Sequence, residues 1–77
     1  MDINKFVSNI ADQFANTEPS EFKPETKFRE LDEYCSLIAL YIIGMIFEEY
    51  GVSLKSADML EAVTIQDLFN IVQASRK

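Results

Sequence analysis

Histidine is absent from the chain, and cysteine occurs once, at Cys35. A single thiol cannot close an intramolecular disulfide. Without imidazole, a zinc site or a Cys–His nucleophilic pair lacks its parts. A serine-hydrolase arrangement fails on the same ground, because no imidazole is available as base. Basic residues are scarce too: 7 against 13 acidic ones, for a net charge of −6. That sign disfavours nucleic acid and anionic membrane surfaces and favours basic protein surfaces. The uncharged stretch from Leu37 to Phe47 is well short of the roughly 20 residues that cross a bilayer, so no membrane insertion is expected. The opening "MDINK" has no basic region leading into an apolar stretch, so no signal peptide is expected and the expected address is the cytoplasm. No acid–base pair, metal-ligand cluster or nucleotide loop can be read. The chain is therefore not expected to be an enzyme, and no catalytic residue or metal ligand is assigned.

What is present is the composition of a small globular domain: 48% hydrophobic residues among 77, with six Phe and three Tyr. One domain spanning 1–77 is expected. A chain of this size buries only about 60% of the surface its unfolded form exposes, so its core must be efficient.

Ile3, Phe6, Val7, Ile10 and Phe14 fall at helical spacing, with Asp2 as a plausible N-cap, and predict a first helix ending near Asn16. Residues 17–35 hold both prolines and many charges, and read as a long irregular connection. Phe22, Phe28 and Leu31 can pin that connection to the core, so it is expected to be ordered. Ser36 to Tyr50 predicts a second helix, closed by Gly51 where a left-handed residue is wanted. A brief third helix is expected around "SADMLEA". Thr64 then opens the last helix, where "TIQD" fits a capping box and Ile65, Leu68, Phe69 and Val72 form the buried stripe. Arg76 and Lys77 suit its negative end. The expectation is all-α: a four-helix bundle with a long first loop and a short third helix.

Ser36 stands where an acidic approach meets the apolar run. Serine is a preferred N-cap, so a cap is the first reading of its position. A helix N-terminus also suits a phosphate or phosphodiester. No base is offered nearby, so another enzyme would have to modify the hydroxyl.

From Phe28 to Val72 the residues resemble the acyl carrier proteins. The "SL" pair at 36–37, the helix ending "FEEYG" at 47–51 and the segment "VSLKSADMLEAVTIQDLFNIV" carry the resemblance, and no gap is needed between Ser36 and Val72. It implies that Ser36 carries 4′-phosphopantetheine, transferred covalently from coenzyme A by a separate Mg²⁺-dependent phosphopantetheinyl transferase. The thiol of that arm would hold acyl groups as thioesters for acyl- or aminoacyl-loading ligases and synthases. Fatty acid biosynthesis, or a specialised lipid or secondary-metabolite pathway, would be the setting. Positions matching the family's acyl pocket are Ile46, Leu54, Met59, Ala62 and Leu68. Two alternatives stand beside this reading: a discrete peptidyl or D-alanyl carrier, and a carrier-like adaptor domain without a prosthetic group.

The chain departs from the family pattern twice. The usual Gly–x–Asp–Ser–Leu is here Glu33-Tyr34-Cys35-Ser36-Leu37, which leaves the accepting transferase open. Cys35 is expected to be a small, partly buried side chain. The second departure is on the exposed face of the second helix, which is acidic in typical members. Stepping 100° per residue from the Glu48–Glu49 direction puts Ile38, Tyr41 and Met45 within about 30° of it, and Leu40, Ile43, Phe47 and Tyr50 on the core side. Leu37, Ile38, Tyr41, Met45, Glu48 and Glu49 are therefore the expected partner-docking residues. A monomer is expected; the competing explanation is that the face is covered in the free protein, by weak self-association or by the Phe22–Tyr34 loop.

Overall fold

A computed structural model describes residues 2–76. Among them lie four α-helices: α1 (Ile3–Ala11), α2 (Ser36–Tyr50), α3 (Ser56–Glu61) and α4 (Ile65–Ser75). There is no strand among the described residues, and the all-α bundle with a long first loop and a short third helix is the observed architecture.

Helix α1 starts where its cap predicts: the Asp2 carboxylate accepts from the Asn4 N–H at 2.9 Å. It stops at Ala11, earlier than the apolar spacing indicates. Beyond Ala11 the bonding shortens, with Gln13 N–H donating to Ile10 C=O and Phe14 N–H to Ala11 C=O, both at 3.0 Å. This tight turn swings Phe14 out of helical register and into the loop, where its ring meets Phe22 at 5.0 Å. Phe14 is buried as expected, but by a turn and not by a helix.

The long loop contains two 3₁₀ turns, Pro19–Glu21 and Phe28–Glu30. Phe22 and Phe28 are buried and Leu31 is half-buried, so all three do pin it. Polar ties add to this. Ile65 N–H donates to Thr26 C=O at 3.0 Å, and Gln66 N–H to Pro24 C=O at 2.8 Å, so loop carbonyls cover the start of α4. The Arg29 guanidinium donates to the carbonyls of Ala62 and Leu60, at the end of α3, at 3.0 and 3.2 Å.

In α4 the capping box forms as the sequence indicates. Thr64 Oγ1 accepts from Asp67 N–H at 3.1 Å, and the Asp67 carboxylate accepts from Thr64 and Val63 N–H at 3.0 and 3.1 Å. Ile65, Leu68, Phe69 and Val72 are all buried. Arg76 follows the last turn as the cap residue, and Lys77 lies outside the described residues.

The rotation of α2 differs from the sequence expectation. Ile38, Ile42 and Ile46 face the core, with relative exposures of 6%, 0% and 0%. Leu40 and Phe47, expected inside, are 63% and 58% exposed, while Ile43 and Tyr50 are half-buried. The cause is the choice of Glu48 and Glu49 as the outward direction. Both are solvated because they sit in the last turn, and so they do not mark the side opposite the core. Tyr50, in the same turn, packs on Phe6 with ring centroids 5.5 Å apart. Its hydroxyl accepts from the buried Asn9 amide at 2.9 Å. Gly51 ends the helix at φ 69°, with its N–H on Phe47 C=O.

The corrected rotation gives a direct test. Ile42→Ala is expected to cost about 2–5 kcal/mol by urea denaturation. Leu40→Ala, only two positions earlier, should stay within about 0.5 kcal/mol of the parent. Equal losses would put the core on the other side of α2.

Candidate functional site

Ser36 is the first helical residue of α2, and Cys35 is the N-cap. The expectation that Ser36 itself caps the helix is thus corrected. Cys35 has the extended backbone a cap requires, at φ −155° and ψ 179°, and its carbonyl accepts the first helical bond from Ala39 N–H at 3.0 Å. Its side chain makes no cap hydrogen bond. Cys35 is also exposed, not partly buried as expected, because a cap residue stands outside the helix packing.

The Ser36 hydroxyl is exposed at a helix start that no cap side chain covers, and no acid lies in the first turn to repel an anion. The backbone N–H groups of that turn and the positive end of the helix dipole lie beside it. Such an environment fits a phosphodiester on the serine oxygen.

The approach to Ser36 is held by Glu33, which stands where the carrier pattern has glycine. Its carboxylate accepts from the backbone N–H of Ala15 at 2.7 Å and of Asn16 at 2.9 Å, and from the Thr17 hydroxyl at 2.8 Å. Desolvation pushes this carboxyl up, but the hydrogen bonds from Thr17, Asn16 and Ala15 outweigh it and hold it below the ordinary range. The next residue, Tyr34, packs edge-on against Phe28 at 5.8 Å. Burial raises its phenol pKa; the nearby Arg29 charge opposes that rise.

Beside Ser36 opens a cleft of about 380 Å³ between α2 and α3, walled by Ala39, Leu40, Ile43, Met59 and Leu60. Of the five expected acyl-pocket positions, Met59 reaches this cleft. Ile46, Leu54, Ala62 and Leu68 are buried in the core beyond it. Of the expected docking residues, Leu37, Tyr41, Glu48 and Glu49 are exposed and Met45 is half-buried. Ile38 is buried, so its placement on the outer face is corrected. Sequence reasoning missed Leu40 and Leu60 as cleft walls, and missed the Glu33 and Arg29 ties. The row Ile38, Ile42, Ile46, at four-residue steps, was the signal that could have set the helix rotation. Nothing local marks Glu33, whose partners lie 16 to 18 positions back.

The family model described as the phosphopantetheine attachment site matches residues 5–72. The chain belongs to the phosphopantetheine-binding carrier protein family. Neither curated proteins nor solved structures gave a match. Members of the family carry covalently attached 4′-phosphopantetheine and are carriers, not catalysts. They work with a phosphopantetheinyl transferase and with partner enzymes. Among the described residues no helix of this carrier is long and apolar enough to cross a membrane.

Because the Glu33 carboxyl is lowered on folding, its stabilisation is fully present above the ordinary glutamate range and is lost as the pH falls through the lowered value. Glu33→Gln is therefore expected to melt lower than the parent at about pH 7, with the gap closing once the pH is well below about 4. A gap that is the same at both ends of a pH series of thermal melts would assign the effect to shape alone.

Proposed function

We propose that Ser36 is the attachment residue of this carrier, and that the arm it bears delivers acyl groups as thioesters to partner enzymes. The observation that carries the reading is the exposed Ser36 hydroxyl on the first turn of α2, a turn with no cap side chain over it and no acid within it. When attached, 4′-phosphopantetheine supplies the thiol to which cargo is esterified. This chain's part is to present the oxygen. With no histidine anywhere in it, removal of the hydroxyl proton falls to the transferase.

The apolar walls of the cleft favour acyl cargo over a polar aminoacyl group, in fatty acid biosynthesis or a specialised lipid or secondary-metabolite pathway. Ala39, Leu40, Ile43, Met59 and Leu60 would meet the first part of such a chain. A longer one would have to part the packed residues Ile46, Leu54, Ala62 and Leu68. Partner enzymes would dock on Leu37, Tyr41, Met45, Glu48 and Glu49, with Leu40 and Phe47 replacing Ile38 in that set. A single carrier unit over 1–77, working as a cytoplasmic monomer, completes the proposal; the net charge of −6 opposes self-association.

Incubation with coenzyme A, Mg²⁺ and a broad-specificity phosphopantetheinyl transferase is expected to add one phosphopantetheine by intact mass, and none to Ser36→Ala. A folded parent that gains nothing from several transferases, or a Ser36→Ala variant that is still modified, would remove Ser36 from the role.

A further inference from the structure

Helix α2 begins without a local fastening. Its cap residue, Cys35, gives no side-chain hydrogen bond, and Ser36 is exposed on the first turn. Helix ends that lack a capping side chain fray, so whatever keeps Ser36 in helical geometry must act from further up the chain. Tyr34 is held within the loop itself, its N–H on Leu31 C=O at 3.0 Å and its ring on Phe28. Glu33, three residues before Ser36, instead reaches back to the opposite end of the connection. Its Oε2 accepts from Ala15 N–H at 2.7 Å, and its Oε1 accepts from Asn16 N–H at 2.9 Å and from the Thr17 hydroxyl at 2.8 Å. Both carboxylate oxygens are engaged, so the group is fixed in direction as well as in place. The tie is this chain's own, because the glycine of the carrier pattern could not make it. It also meets the acid nearest in sequence to Ser36 with three donors, which offsets a charge that would otherwise oppose an anionic cosubstrate.

We propose that Glu33 is a positioning residue for loading: by tying its own backbone to residues 15–17 it keeps the first turn of α2 wound, and so holds the Ser36 hydroxyl where a transferase can bring coenzyme A to it. The inference rests on the Ser36 reading and adds to it the residue that makes an uncapped helix start usable. Loss of the tie affects turnover more than encounter. Tyr41, Met45, Glu48 and Glu49 of the proposed docking set lie further along α2, so the transferase still binds the carrier but finds the serine misplaced in most encounters. The signature is a lower kcat at a nearly unchanged KM for the carrier. A general loss of stability has the opposite signature, because unfolded chains do not dock: the apparent KM rises and kcat stays.

The test compares the parent, Glu33→Gln, Thr17→Val, the double variant and Ile42→Val, all at a temperature where each is folded. Gln keeps the shape of Glu but turns an amide NH₂ toward backbone donors. Ile42→Val is the control for lost stability, since it loosens the core without touching the clamp. The Ala39 amide, which makes the first helical bond of α2, reports fraying by hydrogen exchange in the unmodified protein. In Glu33→Gln its exchange is expected to be about tenfold faster, and kcat for loading about tenfold lower at unchanged KM. Thr17→Val, which removes one donor of three, should show a smaller loss, and should add nothing to Glu33→Gln. Ile42→Val should match the parent in Ala39 exchange and in kcat. Unchanged Ala39 exchange in Glu33→Gln, a loss carried by KM alone, or an equal loss of kcat in Ile42→Val would overturn the positioning role and leave the Ser36 reading intact. A parent that does not load, or a Ser36→Ala variant that does, would sink the Ser36 reading and leave the clamp nothing to position.

Discussion

Two backbone hydrogen bonds, from Ile65 N–H to Thr26 C=O and from Gln66 N–H to Pro24 C=O, join the least regular part of the chain to the start of α4. Peptide groups in a loop of this length need partners that the loop cannot supply itself. Here the first turn of α4, which has donors to spare, provides two of them. Arg29 anchors the middle of the loop to the end of α3, and Glu33 anchors its end to the chain just after α1. Phe22 and Phe28 fill the space beneath. The result is a connection with no more than two short 3₁₀ turns that still delivers Ser36 to one place.

The same constraint separates two helix starts that the sequence makes look alike. In α4 every one of the first four N–H groups has a partner: Thr26 and Pro24 carbonyls, the Thr64 hydroxyl and the Thr64 carbonyl. In α2 the Ala39 N–H bonds to Cys35, and no cap side chain covers the groups before it. Both begin with a residue of extended backbone, yet one end is electrically closed and the other open. The open end is the one that holds Ser36. A hydroxyl spent on capping could still be modified, but a cysteine in the cap leaves Ser36 with no competing duty.

Local signals in the sequence were reliable where the physics is local. Asp2 and Thr64 open helices through their own side chains, and Gly51 closes one through its own backbone, so all three could be read in place. The stripe of α4 was legible because its polar and apolar sides are distinct. Helix α2 is apolar over most of its circumference, and its only charges lie in the last turn, so composition could not fix which side faces in. The row of β-branched isoleucines carried that information, but the acids drew the reading away from it. The end of α1 was obscured because Phe14 satisfies a helical repeat while being buried by a turn. The place of Ser36 at the start of α2 was legible, since a serine before an apolar run is visible in one dimension. Its surroundings were not, because Glu33, Arg29 and the cleft wall at Leu60 act across long stretches of chain.

The hydrogen bond between Asn9 and Tyr50 has a consequence for how the molecule can be watched. With no tryptophan in the chain, its ultraviolet emission comes from three tyrosines in three settings. Tyr50 is bonded to α1 at the far end of α2, Tyr34 lies against Phe28 at the approach to Ser36, and Tyr41 faces solvent on the outer side of the helix. Each ring therefore reports on a different district of the protein: the junction of two helices, the end of α2 that holds Ser36, and the exposed flank. Replacing them one at a time with phenylalanine would turn the native chromophores into a three-point optical map, with no label attached.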